Sequence, residues 1–141
     1  MRITLPNSRT FSKVFEKAIG KSIGEKINGI ATDSREVQKG DLYIAIKGEK
    51  VNGYEFLEQV FENGAAYAMV SKKQTSTTGK QIEVGDTVKS IGKIATEWRS
   101  QFNIPVIGIT GTNGKTSTKE LLKHVLSSKF DIHATEGNYN T

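Results

Sequence analysis

Eleven residues, Val106-Ile-Gly-Ile-Thr-Gly-Thr-Asn-Gly-Lys-Thr116, constrain this chain more than any other part of it. A β-branched apolar run leads into a turn of Gly111, Asn113 and Gly114. Lys115-Thr116 then opens a segment whose apolar residues, Leu121, Leu122, Val125 and Leu126, recur at helical spacing. The order is strand, glycine loop, helix. Only a backbone without Cβ turns so tightly while aiming several N–H groups at one anion. Gly111, Thr112, Asn113, Gly114, Lys115, Thr116 and Ser117 are therefore the expected cradle of a nucleoside triphosphate. The helix N-terminus adds a positive dipole end, and the Lys115 ammonium is placed to reach the β- and γ-phosphates as the catalytic cation. The Thr116 hydroxyl is placed to hold Mg²⁺. The general spacing G-x-x-x-x-G-K-[ST] asks for glycine at position 109, where Ile109 stands. An incidental surface turn ending in Gly-Lys-Thr would lack the strand before it and the amphipathic helix after it.

A length of 141 residues allows one ordinary domain, or a small domain with part of another, and 35% hydrophobic content suffices for a core. The absence of cysteine excludes a disulfide framework and cysteine-based zinc sites. The opening Met1-Arg-Ile-Thr-Leu-Pro6 has no apolar run suited to a signal peptide, so the cytoplasm is the expected location. No apolar stretch approaches membrane-spanning length, and membrane insertion is not expected. The net charge of +5 is spread among acidic residues, with no basic run longer than Lys72-Lys73. That pattern reads as a solvated face rather than a nucleic-acid surface, and it also suits polyanionic small molecules.

Upstream of the loop the periodicity alternates between helix and strand. Phe11, Val14, Phe15, Ala18 and Ile19 predict a core-facing helix over 10–19, with Ser8 or Thr10 as N-cap and Gly20 as its stop. Ile27 to Thr32 reads as a strand that delivers Asp33-Ser34-Arg35 at its end. These three are suited equally to binding a ligand at the edge of an open sheet and to a local Asx or Ser turn. Leu42 to Ile46 is a nearly all-apolar strand, followed by the polar loop Lys47-Gly-Glu-Lys-Val-Asn-Gly53. A helix with Phe56, Leu57, Val60 and Phe61 stops at Gly64, and Ala65 to Val70 forms the next strand. Strand, loop, helix, strand is a βαβ unit with a parallel sheet. Residues 72–81 read as a surface loop and 82–84 as an edge strand. A helix capped by Asp86 or Thr87 then carries Val88, Ile91, Ile94, Ala95, Trp98 and Phe102. A short strand is expected over 132–135. His124 and His133 have no companions that would make a metal set.

The fold class is therefore α/β: a small N-terminal α/β domain over 1–85, a connecting helix over 86–104, and the first strand, phosphate loop and helix of a truncated nucleotide-binding domain over 105–141. With the Thr32-Asp33-Ser34-Arg35 turn, Gly40-Asp41-Leu42-Tyr43-Ile44-Ala45, Lys47-Gly48-Glu49 with Gly53, Asn63-Gly64-Ala65 and Thr110 to Thr116 together, the chain resembles the Mur ligases. These are the ATP-dependent amino-acid-adding enzymes of bacterial peptidoglycan synthesis. In that family the last motif is the ATP loop as it stands here, so Ile109 is no departure.

The resemblance implies three domains, of which this chain would hold the first and the start of the second. It implies ATP and Mg²⁺ as cofactors and a uridine-nucleotide contact turn at Asp33, Ser34 and Arg35. Lys47, Gly48 and Glu49 would be the companion loop, with Asn138 near the substrate. Thr116 to Leu121, Glu136 to Asn140 and Trp98-Arg99 are most similar to the member that adds D-alanyl-D-alanine to UDP-N-acetylmuramoyl tripeptide. A sister enzyme adding the third residue is the alternative, and a non-ligase nucleotide-binding module is another. The partners so implied are the UDP-linked tripeptide and D-alanyl-D-alanine, with a monomeric enzyme. The family's central-domain glutamate, histidine and modified lysine are not among these residues, so the 141-residue chain alone is expected not to ligate.

Overall fold

A computed structural model describes residues 1–24, 26–48 and 51–135. The chain divides into two compact units, Met1–Asn103 and Ile104–Thr141.

The first unit is built on a five-stranded sheet whose spatial order follows the chain: β1 (Arg2–Thr4), β2 (Gly29–Ala31), β3 (Leu42–Ile44), β4 (Tyr67–Val70) and β5 (Gln81–Glu83). β1 runs antiparallel to β2, and β2 to β5 are mutually parallel. Helix α1 (Ser8–Ile19) follows β1, α2 (Leu57–Glu62) joins β3 to β4, and α3 (Thr87–Arg99) follows β5. The βαβ unit expected from the periodicity is β3-α2-β4.

Alternation along the strands divides the core in two. Leu42, Ile44, Met69 and Ile82 face one side and pack with Phe11, Val14 and Phe15 of α1 and Ile94 of α3. Tyr43, Ala45, Ala68 and Val70 face the other and pack with Leu57 and Val60 of α2. A strand buried on both faces has no polar position to offer, which is why Leu42 to Ala45 reads as an unbroken apolar run. Each large side chain so buried stabilises the fold by about 1.5–3 kcal/mol.

Helix α1 starts at Asn7, whose side chain accepts from Thr10 N at 3.1 Å, and not at Ser8 or Thr10. The Ser8 hydroxyl is used elsewhere, accepting from Ile27 N at 2.9 Å. Gly20 ends the helix at φ 73°, in the left-handed region that glycine enters without steric cost. In α3 the Asp86 carboxylate caps Lys89 N at 2.9 Å. β1 was not apparent from periodicity. It is held by Arg2, whose guanidinium donates two bonds of 2.6 and 2.9 Å to the wholly buried Asp41 carboxylate. Asp41 Oδ2 also accepts from Gln38 N at 2.9 Å, so it is the anchor of the β1 edge as well as a turn residue.

The second unit contains α4 (Lys115–Ser127), with all its residues at least partly exposed. No strand is assigned over 106–110 or 132–135. A strand is defined by its ladder, and none of the described residues pairs with these segments.

Candidate functional site

The parallel strands β2 to β5 all end at one edge of the sheet, where open α/β layers carry their ligand groups. The Asp33 turn leaves β2 there, and Lys47-Gly48 leaves the neighbouring β3 at the same edge. Two expected substrate segments are thereby brought to adjacent strand ends. Glu49 and Asn138, with the whole Glu136–Thr141 motif, lie outside the described residues.

The turn is a single short 3₁₀ helix over Ser34–Glu36, capped by Asp33. Asp33 Oδ1 accepts from the backbone N–H of Arg35 at 3.0 Å and from its Nε at 2.9 Å, while Oδ2 accepts from Nη2 at 2.7 Å. The Arg35 guanidinium, and then its backbone N–H, hold the Asp33 carboxyl well below the usual carboxylate range. Ser34 is buried between the two, and the Arg35 side chain is 83% exposed. The result is a fixed fork whose outer face is open to a planar or anionic group.

The companion loop is clamped at both ends. Gly48 N donates to Val51 O and Gly53 N donates to Ile46 O, each at 2.9 Å. The buried Tyr43 hydroxyl donates to Gly53 O at 3.0 Å. Burial, with the Asp33 charge adding to it, pushes the Tyr43 phenol up to about 12. A Cβ at Gly53 would lie 2.8 Å from Ile46 N and O, so this close approach requires glycine. Tyr54, the next residue, shares its hydroxyl with both Oγ and N of Ser71 at the end of β4. Tyr43, Tyr54 and Ser71 were not apparent from sequence as supports of this loop. Their only sequence-level trace is that tyrosine sits where phenylalanine would fill a core equally well.

In the second unit Gly114, at φ 76°, is the N-cap of α4 and offers no capping side chain. Gly111 also has a positive φ, 150°. Thr118 N donates to Gly114 O, so the N–H groups of Lys115, Thr116 and Ser117 are left without a backbone acceptor among the described residues. Three such donors at a dipole's positive end are what an anion requires. The Lys115 ammonium lies over the loop, donating to Gly111 O at 2.6 Å and Thr112 O at 3.5 Å. Thr116, the residue expected to hold the metal, is exposed in the first turn of the same helix. No cluster of three metal-ligating side chains occurs among the described residues. That donor set suits Mg²⁺, which takes most of its ligands from phosphate and water.

Two shallow cavities lie elsewhere in the first unit. One, of about 420 Å³, is at the opposite sheet edge, lined by Lys39, Phe61, Gly64 and Lys80. The other, of about 270 Å³, lies among Ile19, Lys21, Ser90 and Lys93. Neither contains a residue expected from sequence to bind substrate.

Comparison with known proteins decides the family. Residues 26–112 match the model described as Mur ligase family, catalytic domain, and residues 109–141 match that of the Mur ligase middle domain. The chain belongs to the Mur ligase family. The Mur ligase named UDP-N-acetylmuramoyl-tripeptide--D-alanyl-D-alanine ligase from Synechocystis sp. is 42% identical over 82% of this chain and 26% of its own length. The enzyme of the same name from Bacillus subtilis is 36% identical over 81% of the chain and 25% of its own length. A Mur ligase named for 2,6-diaminopimelate, from Aquifex aeolicus, is 42% identical over 72% of the chain and 21% of its own length. Among solved structures, MurF from Acinetobacter baumannii superposes with a TM-score of 0.82 at 32% identity, covering 92% of this chain and 30% of that one. MurF from Thermotoga maritima in complex with ADP gives 0.72 at 33% identity, covering 79% of this chain and 26% of that one. The chain thus spans about a quarter of the length of the curated Mur ligases it matches.

Proposed function

We propose that this chain forms the UDP-sugar-binding domain and the beginning of the ATP-binding domain of a ligase. That ligase joins D-alanyl-D-alanine to UDP-N-acetylmuramoyl tripeptide. The observation that carries the reading is similarity to ligases of that name over 82% of the chain, through both the Asp33 turn and the 111–116 loop. The ligase is read as cytoplasmic and monomeric.

In this reaction the γ-phosphoryl group of ATP passes to the tripeptide's terminal carboxylate. The amine of D-alanyl-D-alanine then attacks the acyl phosphate, and the tetrahedral intermediate expels phosphate. A carboxylate is a poor electrophile until one oxygen becomes a good leaving group, so positioning and charge neutralisation supply most of the catalysis. The N–H groups of Asn113, Gly114, Lys115, Thr116 and Ser117 receive phosphate oxygens. Lys115 exchanges two loop carbonyls for the β- and γ-phosphates, where its charge opposes theirs. Thr116 contributes a hydroxyl to Mg²⁺, which when bound supplies further neutralisation of the phosphates. Asp33 orients Arg35 toward the uridine nucleotide, and Ser34, Lys47, Gly48, Glu49 and Asn138 complete the substrate contacts. Residues 1–85 serve the nucleotide sugar, 86–104 connect, and 105–141 begin the ATPase domain.

A second reading is addition of the third amino acid, favoured by the 42% identity to the diaminopimelate-named relative. Its match covers 72% of the chain, against 82% for the first relative. A protein carrying this chain to the length of its relatives should release phosphate from ATP only with the UDP-linked tripeptide and D-alanyl-D-alanine present, and yield the pentapeptide by mass spectrometry. Turnover of the UDP-linked dipeptide with diaminopimelate or lysine instead would replace the first reading by the second.

A further inference from the structure

The polar side chains buried among the described residues are Ser34, Asp41, Thr87 and Ser90. Asp41 holds Arg2, and the Thr87 hydroxyl donates to Ala45 O at 3.1 Å. The hydroxyls of Ser34 and Ser90 have no hydrogen-bond partner among the described residues. A polar group kept from water without a partner is costly, and no side-chain N or O atom sealed from solvent lacks one there. Both hydroxyls must therefore face open space. Ser34 belongs to the Asp33 turn. Ser90 is only 6% exposed and lines the cavity of about 270 Å³ beside β5, so that cavity is what its hydroxyl faces.

The cavity lies between the end of α1, the end of β5 and the first turns of α3. The Lys21 ammonium donates to Glu83 O at 2.6 Å, which draws its charge to the end of β5 and leaves two of its three N–H donors unused. Lys93 follows Ser90 by three residues, so the two side chains are neighbours on the surface of α3. Its ammonium has no counter-ion among the described residues. Glu83 lines the cavity with its backbone. Ile82 packs into the core of α1 and α3, so alternation turns the Glu83 side chain to the opposite face, where it accepts from Lys73 N at 3.1 Å. The nearby carboxylates of α3 are engaged elsewhere: Asp86 caps Lys89 N, and Glu97 pairs with Lys17 at 2.7 Å. Two ammoniums and one hydroxyl thus line a cavity whose remaining wall is apolar, with Ile19 and Val84.

We propose that this cavity is an oxyanion site that binds a phosphate group. Lys21 and Lys93 supply two positive charges, matching a dianion, and the sheltered Ser90 hydroxyl supplies a hydrogen bond. Its volume is below the roughly 300–1,000 Å³ of pockets that enclose drug-sized ligands, so it suits a small ion or one phosphate of a larger molecule. It is distinct from the Asp33 fork: β5 lies three strands from β2, about 14 Å across the sheet. The site stands on the first unit alone and does not rest on the ligase reading.

The test follows backbone amide shifts of the 141-residue chain by NMR while sodium phosphate is added, with sodium chloride at matched ionic strength as the control. Saturable shifts are expected at Glu83 to Gly85 and at Ser90 and Lys93, resolved from any at the 111–117 loop. Ser90→Ala and Lys93→Gln should each weaken this binding about tenfold, as loss of a hydrogen bond to a charged group does, while Lys115→Ala leaves it unchanged. A second titration with the UDP-linked tripeptide identifies the source of the phosphate. If it shifts the same amides and competes with phosphate, the site receives a nucleotide's diphosphate; if it shifts only the Asp33 turn, the ligand is free phosphate. Shifts that chloride reproduces, that fail to saturate, or that survive both substitutions report bulk charge alone and overturn the proposal.

Discussion

Replacing Tyr43 by phenylalanine removes one oxygen from the interior and leaves the packing of the ring intact. That oxygen donates to Gly53 O at 3.0 Å, and both residues are buried. Orphaning a buried carbonyl costs about 1–3 kcal/mol. For a unit of this size each kcal/mol lowers the melting temperature by about 4–8 °C. Circular dichroism should therefore record a drop of about 4 °C or more in Tyr43→Phe. The alkaline limb gives a second reading of the same atom. The folded phenol titrates at about 12 against an ordinary value of 10, so the folded state holds the proton more tightly. Stability from this group is full below pH 10 and is lost as pH rises toward 12. The lysines titrate in both proteins, so the difference between parent and variant isolates Tyr43: the gap should narrow across that window. The Tyr43 bond also fixes the end of the 47–53 loop, so uridine-nucleotide affinity should weaken together with stability. A variant with the parent's melting temperature and the parent's alkaline profile would refute the assignment of a buried, loop-bearing hydroxyl.

Other perturbations separate the sites. Lys115→Ala should abolish ligation in the full-length protein with the melting temperature unchanged, since Lys115 is exposed and outside the core; near-normal turnover would remove it from the mechanism. Ser34→Ala and Arg35→Ala should each weaken binding of the UDP-linked tripeptide in calorimetry and leave ATP affinity alone. Because the Asp33 carboxyl is depressed, the fork it forms with Arg35 is complete above the ordinary aspartate range and is lost only as pH falls well below it. Binding should accordingly show no titration from this pair between about pH 5 and 8, a flat profile that a pH series would check. Asp41→Asn leaves Arg2 facing a neutral amide at the β1 edge and should lower the midpoint of urea unfolding.

Local signals carried the core elements. Helices α1 and α3 and strands β2 to β4 each show a period of 3.6 or an apolar run within their own residues, β5 shows only one apolar residue between two polar ones, and Gly20 and Gly64 mark stops through their backbone freedom. What sequence did not display depends on distant partners. β1 is three residues long, and besides its ladder with β2 it is held by an ion pair between residues 2 and 41, which no local pattern reveals. Asn7 took the cap expected of Ser8 or Thr10 because Ser8 was needed by Ile27. The run 106–110 has strand composition, but a ladder needs a neighbour, and none is described. At the candidate site the fork of Asp33 and Arg35 was legible as adjacent polar side chains. The supports of the neighbouring 47–53 loop, Tyr43 and the Tyr54–Ser71 contact, bridge 10 and 17 residues and became visible only when β3 and β4 lay side by side.

The strand order of the first unit follows the order in which the strands are made. Each new strand from β2 onward docks on the one immediately before it, so no strand waits for a partner synthesised much later. Loop closure stays short at each step, and the entropy of bringing ends together is never large. During translation the sheet can grow by accretion at one edge, from β1 outward, with α1 waiting to cover it. The α1–α3 contact closes last, once α3 has cleared the ribosome. By then both faces of the sheet are sealed, and the first unit has finished folding as a unit of its own.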